Sequence, residues 1–107
     1  MDIWIEAEHW APGEWSPSDD NSDVVVTMND GSRWSATFFT FNNIETLRRK
    51  NKATGECLAG KYLYATNMIL VERLTREAVE TTINDLVSSG EFPSAFERAP
   101  PSDQNAP

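Results

Sequence analysis

Apolar and polar side chains alternate along residues 23–41, DVVVTMNDGSRWSATFFTF, and this alternation predicts a β-hairpin. A three-residue loop at 29–31, with Gly31 in the left-handed position, places Val26 opposite Trp34 and collects the apolar side chains on one face. A two-residue loop would mix apolar and polar side chains on both faces. We therefore predict the three-residue loop.

Residues 2–10, DIWIEAEHW, also alternate between apolar and polar and predict a first strand, in which one set of side chains faces the core. The inward set comprises Ile3, Ile5, Ala7 and His9, and the outward set comprises Asp2, Trp4, Glu6, Glu8 and Trp10. The outward set would place two carboxylates about 7 Å apart along one face, with a Trp at either end.

Two helices and one or two further strands are predicted after the hairpin. A basic helix begins at Asn42 as N-cap and ends at Gly55, and residues 61–73 are rich in aromatic and β-branched side chains typical of one bent strand or two. A second helix begins after Thr75 and ends at Gly90, with apolar residues at helical spacing between them. Phe92 and Phe96 would then pack on the core.

These elements predict one α+β domain over residues 1–98. Its sheet would be mainly antiparallel, with four to five strands in the order β-β-β-α-β(β)-α and with two helices packed on one face. The acidic first strand and the loop after it would lie apart from the helices. Residues 99–107, rich in Pro and polar side chains, predict a flexible C-terminal tail.

The distribution of charge indicates what kind of partner the protein binds. The net charge is −8, and the first 32 residues hold eight acids and neither Lys nor Arg. Phosphate contacts need a basic patch, so the charge argues against direct binding to nucleic acid. It favours a basic protein as partner.

Three Trp residues within the first fifteen positions accompany these acids. In a small domain they can serve simply to cover the sheet. Left exposed beside carboxylates, they would form a protein-binding surface of aromatic anchors in a charged surround. The predicted partner-binding residues are Trp4, Glu6, Glu8, Trp10, Glu14, Trp15, Asp19, Asp20 and Asp23.

Other chemistry is less well supported by the sequence. Residues 55–62, GECLAGKY, match a phosphate-binding loop except that Tyr62 replaces the hydroxyl residue, and the order helix then strand is the reverse of that motif. Cys57 and His9 are the only Cys and His, a weak basis for a nucleophile and base. Acids at 19–23 lack the spacing of a calcium loop. We predict no cofactor, no metal site and no catalytic residues.

The segments DNSDVVVT, DGSRW, ATFFTF, TGECLAGKY and MILVE, between Trp15 and Phe96, resemble small acidic bacterial proteins connected with immunity to bacterial toxins. The resemblance implies a non-enzymatic inhibitor of a basic toxin, and it assigns no functional residues. Two alternatives stay open: a ligand-binding domain or enzyme with a pocket near Cys57, Lys61 and Tyr62, and a structural homo-oligomer. A lone Cys and no apolar run of about 20 residues predict a cytoplasmic protein without membrane contact. We expect the protein to be a monomer or a homodimer.

Overall fold

The computed structural model describes residues 1–100, and it confirms an α+β fold with a mainly antiparallel sheet. Five strands and four helical segments follow one another, with a short 3₁₀ helix at Glu6–His9 after the first strand. The strands are β1 (Asp2–Ile5), β2 (Asn21–Thr27), β3 (Arg33–Thr40), β4 (Met68–Val71) and β5 (Glu97–Arg98). The helical segments are α1 (Phe41–Thr54), α2 (Glu56–Gly60), α3 (Arg76–Ser89) and α4 (Phe92–Ala95).

The β2–β3 hairpin has the predicted register. Val26 pairs with Trp34, and the Met28 N–H donates to the Ser32 carbonyl at 2.8 Å across the three-residue loop. Gly31 has φ +86°, a left-handed conformation that Gly adopts without the steric penalty of a side chain. The loop prediction is confirmed.

The strands lie in the spatial order β1-β2-β3-β4, and β5 extends the sheet beside the start of β3. β1 and β2 are antiparallel, β2 and β3 are antiparallel, and β4 is parallel to β3. The fifth strand therefore follows α4, at Glu97–Arg98, and is not a second piece of the segment 61–73. Within that segment only Met68–Val71 is strand, because Asn67 turns the chain with φ +49° immediately before it.

The first strand is shorter than predicted. β1 ends at Ile5, and the chain winds into the 3₁₀ helix Glu6–His9, so Glu6 and Glu8 do not lie on one face of a strand. The buried Ser22 hydroxyl explains the change, because it accepts a hydrogen bond from the Ala7 N–H at 3.0 Å and holds the turn against β2. Alternation alone could not distinguish the two, since Ile5 and Ala7 are buried in either case.

One face of the sheet carries the hydrophobic core. α3 packs on this face through Val79 and Ile83, after an N-cap at Thr75 and before a left-handed Gly90, as predicted. Phe92 and Phe96 also lie in the core, which confirms their predicted role. The core cluster comprises Ile5, Ala7, Val24, Val26, Ala36, Phe38, Val71, Leu74, Val79, Ile83, Phe92 and Phe96.

The N-cap of helix α1 lies two residues before the predicted one. The Thr40 hydroxyl accepts from the Asn43 N–H at 3.0 Å, so Thr40 caps the helix and Asn42 lies within its first turn. The helix ends at Gly55 as predicted, with φ +88°. Its two buried residues are the polar Asn43 and Asn51, and it contributes no residue to the core cluster.

The segment that resembles a phosphate-binding loop forms a left-handed helical turn, α2. Cys57, Leu58 and Ala59 all have φ between +52° and +58°, a conformation that costs an L-residue roughly 1–2 kcal/mol. The Ala59 N–H donates to the Gly55 carbonyl at 3.2 Å and closes the turn. Neither the strand that would precede such a phosphate loop nor the helix that would follow it is present around residues 55–62.

Gly60 is the position where this turn meets α1. A Cβ built there would lie 2.5 Å from the backbone oxygen of Arg48, and φ is +79°. We expect Gly60→Ala to lower the free energy of unfolding by more than the roughly 1–3 kcal/mol of a left-handed non-Gly residue alone, because backbone atoms must also shift. Urea denaturation measures the change. The matched control is Gly13→Ala, which has φ +87° and no atom within 4 Å of its Cβ, and equal losses for the two variants would contradict the close approach.

The predicted domain 1–98 corresponds to the span of the elements described above. Ala99 follows β5 and its N–H donates to the Arg33 carbonyl at 2.8 Å, so the first residue of the predicted tail is bonded to the sheet. The rest of that tail, from residue 101, lies outside the described residues.

Candidate functional site

The face of the sheet opposite the core is open along part of its length, whereas Phe39 on the same face is buried. Side chains alternate along each strand, so Trp4, Val25 and Ser35 align across this face while Ile5, Val24 and Ala36 face the core. A groove of about 200 Å³ crosses the open face. Its lining residues are Trp4, Asp23, Val25, Ser35, Ala36, Thr37, Thr66, Asn67 and Glu97.

Trp4 forms the aromatic rim of this groove and is 41% exposed. The 3₁₀ helix brings His9 back onto it, so that the two rings stack with centroids 5.3 Å apart and planes inclined by 18°. Stacking fixes the indole while leaving its other side open to solvent. A large aromatic held in one orientation can bind a partner with little further loss of side-chain entropy.

The charged residues that line the groove are both acids, Asp23 and Glu97. Asp23 is held in place by two contacts: its Oδ1 accepts from the Thr37 hydroxyl at 3.1 Å, and its N–H donates to Glu6 Oε1 at 3.4 Å. Glu6 therefore lies beside Asp23 and adds a third carboxylate at the same place. Arg33, at the hairpin end, is the only basic residue in β1, β2 and β3.

Glu8 forms an intramolecular ion pair, and its role in partner binding stays a prediction. Its carboxylate accepts two hydrogen bonds from the Arg76 guanidinium, at 2.8 and 2.7 Å, and Arg76 also donates to the Ile3 carbonyl at 2.8 Å. This interaction joins the N-terminal segment to the first turn of α3. The acidic segment is therefore bonded to a helix, and the expectation that it lies apart from the helices is wrong.

The hydrogen bonds from Arg76 lower the pKa of the Glu8 carboxyl below its ordinary value of 4.5. A carboxyl whose pKa is lower in the folded state stabilises the protein above the unfolded pKa, and this contribution is lost as pH falls through the folded pKa. Because the side chains of Glu8 and Arg76 are 29% and 39% exposed, we expect no more than about 1 kcal/mol.

This sign gives a pH prediction for Glu8→Gln. The variant should be less stable than the wild type at pH 7, and the difference in the free energy of unfolding should shrink as pH falls below about 4.5. Urea denaturation between pH 7 and pH 3 measures it. Glu14→Gln is the control, since no ion pair or hydrogen bond of the Glu14 side chain is found within residues 1–100. A Glu8→Gln difference that does not change with pH would contradict the assignment.

Asp19 attaches the loop to the start of α1, whereas the Asp20 carboxylate bonds to neighbouring backbone groups. Asp19 accepts from the Asn43 amide at 2.9 Å and from the Thr46 hydroxyl at 2.8 Å, and these bonds lower the pKa of its carboxyl. Asp20 accepts from the N–H groups of Ser16 and Asn21, at 3.0 and 2.9 Å. Both acids therefore have an intramolecular role, and their role in partner binding stays a prediction.

The other predicted residues lie away from the groove lining. Trp10 and Trp15 are half-buried and pack against the core cluster, so they serve in part to cover it. The Trp15 Nε1 is buried without a hydrogen-bond partner in the described part of the chain. Glu14 is exposed in the loop. A role for these three in partner binding stays a prediction.

The alternative pocket near Cys57, Lys61 and Tyr62 is a cleft of about 160 Å³ beside α1. Lys61 and Tyr62 line it, whereas Cys57 does not. His9, the other half of the possible catalytic pair, is stacked on Trp4. Within residues 1–100 no three His, Cys, Asp or Glu side chains are grouped so that they could hold a metal ion.

Sequence reasoning named Trp4 and Asp23 and missed the other seven residues of the groove lining: Val25, Ser35, Ala36, Thr37, Thr66, Asn67 and Glu97. The predicted hairpin register already placed Val25 opposite Ser35 on the face away from the core. It could not show that β1 would bring Trp4 beside Val25, because pairing between distant strands has no local signal.

No family model, no curated protein and no solved structure matches this chain. No helix among residues 1–100 is long and apolar enough to cross a membrane. Function is therefore inferred from the geometry of the open face.

Proposed function

We propose that this protein is a non-enzymatic binding module of the immunity or inhibitor type, which engages a basic partner protein such as a bacterial toxin. The binding surface is the open face of the sheet, with Trp4 as anchor and with Glu6, Asp23 and Glu97 around it. The observation that carries the proposal is the exposed Trp4 at the rim of a groove whose charged lining residues are carboxylates.

Charge and shape have separate roles in such a complex. The net charge of −8 attracts a basic protein over several ångströms and raises the rate of encounter. The indole then supplies most of the contact energy, since buried aromatic anchors dominate binding at protein interfaces. Carboxylates at the rim give orientation and a dependence on salt concentration.

The allocation of the acids also supports this surface. Glu8 and Asp19 hold the N-terminal segment onto α3 and α1 through short hydrogen bonds. Asp23, by contrast, is exposed on the sheet face opposite the core, where it lines the groove. An exposed carboxylate there contributes little to folding, and we assign its use to a partner.

Affinity capture from the cell that makes the protein tests the proposal. Three immobilised baits are compared: the wild type, the double variant Trp4→Ala with Asp23→Asn, and the control Tyr62→Ala with Asp85→Asn. The control removes one exposed aromatic ring and one exposed carboxylate elsewhere. We expect a basic protein that is retained by the wild type and the control, eluted by salt, and absent from the Trp4 variant. No retained basic protein, or equal retention by all three baits, would contradict the proposal.

A further inference from the structure

β4 is an edge strand with one side unpaired among the described residues. It pairs with β3 on one side, and no strand within residues 1–100 pairs with the other. The Asn67 carbonyl accepts from the Thr37 N–H at 3.1 Å. Because a parallel ladder uses alternate residues, Ile69 and Val71 direct their backbone groups to β3, and the N–H and C=O of Leu70 face outward.

A groove of about 470 Å³ lies along this edge. One wall carries two exposed apolar side chains, Phe41 at 56% and Leu70 at 40% exposure. The opposite wall is the surface of α3, with Ala78, Thr81 and Thr82. An added strand would point alternate side chains to the two walls, while its backbone paired with the free groups of Leu70.

We infer that the β4 edge is a strand-addition site for an extended, net basic segment of a partner protein. Charge selects this occupant over a second copy of the chain, because two molecules of net charge −8 repel each other. Two of the three charged residues that line the groove, Glu72 and Glu77, are acids, and the third is Arg73. The site is separate from the open face around Trp4 and does not depend on the function proposed there.

The described part of the chain ends away from this groove. Ala99 is bonded to the Arg33 carbonyl, at the hairpin end of β3, whereas β4 lies beside Thr37–Thr40 at the other end.

Two blocked heptapeptides of equal charge test the inference: KTVTVTK, which can form a ladder, and KPVPVPK, which cannot. Fluorescence anisotropy of labelled peptides gives the affinity, and hydrogen exchange gives the protection of the Leu70 amide. We expect KTVTVTK to bind about tenfold more tightly than KPVPVPK and to slow exchange at Leu70. An acidic analogue, ETVTVTE, should bind more weakly than KTVTVTK.

Protein variants localise the binding. Leu70→Lys puts a charge in the groove and should lose KTVTVTK binding by about tenfold, whereas Leu58→Lys, a change at an exposed Leu on α2, should keep it. Trp4→Ala should also keep it, which separates this result from the function proposed above. Circular dichroism confirms that each variant is folded. Equal binding of both lysine peptides, unchanged exchange at Leu70, or a dimer in light scattering that Leu70→Lys dissociates would overturn the inference.

Discussion

Phe96→Ala lowers the free energy of unfolding by about 3–5 kcal/mol in urea denaturation, as expected for a large aromatic removed from a packed core. Phe96 is 2% exposed, and its ring lies 4.4 Å from that of Phe92 and 6.1 Å from that of Phe38, measured between centroids. The loss combines the free energy of transferring the ring out of water with the cost of the cavity that remains. Phe96 lies between α4 and β5, which anchor the C-terminal end to the sheet. Each kcal/mol should lower the Tm by about 4–8 °C.

Phe41→Ala is the matched control for Phe96→Ala. The same atoms are removed, but Phe41 is 56% exposed at the start of α1 and lies outside the core cluster. We expect a change below about 1 kcal/mol, because little apolar surface is lost from contact and Ala favours the helix. Similar losses for the two variants would show that Phe96 is not in the core as described.

Trp4→Ala weakens the complex with the basic partner by about 2 kcal/mol or more, roughly 30-fold in Kd. The loss should appear mainly as faster dissociation, since the indole is the anchor and the carboxylates that attract the partner are retained. Surface plasmon resonance with the captured partner measures both rates. The fold should survive, because Trp4 is on the open face and not in the core cluster.

Tyr62→Ala gives the matched comparison for Trp4→Ala, because Tyr62 is an exposed aromatic that lines the cleft beside α1 and not the open face. Its Kd should stay within about twofold of the wild type. If Trp4→Ala leaves both rates unchanged, the anchor lies elsewhere, and the half-buried Trp10 and Trp15 become the residues to test.

Much of the fold follows from local signals in the sequence. The hairpin register was set by alternation and by the left-handed Gly31, and α3 was bounded by Thr75 and Gly90. In each case short-range chemistry and hydrophobic period agree on the same structure. The predicted packing of Phe92 and Phe96 on the core is also confirmed.

Other elements depend on contacts between distant residues. β1 ends early because Ser22, fifteen residues away, bonds the Ala7 N–H. α1 begins at Thr40, and the Asn43 in its first turn bonds Asp19 across the loop. The left-handed turn at Cys57–Ala59 contradicts the propensity of those residues, so no local rule predicts it.

The candidate site was only partly predictable for the same reason. The sequence shows an acidic, Trp-rich N-terminal segment, but it does not show that the Glu8 carboxylate forms an ion pair with Arg76, 68 residues away. Which Trp stays exposed depends on how β1 pairs with β2, and this pairing leaves Trp4 on the open face. We therefore propose a smaller surface of Trp4, Glu6 and Asp23, with Glu97 added from the far end of the chain.

The most direct test of the binding surface is the salt dependence of association with the captured partner. Stopped-flow mixing of the wild type and of an Asp23→Asn, Glu97→Gln variant is compared between about 0.05 and 0.5 M NaCl. The account predicts an association rate that falls steeply with salt for the wild type and less steeply for the variant, with dissociation nearly unchanged. An association rate that does not depend on salt, or equal slopes for the two proteins, would contradict it.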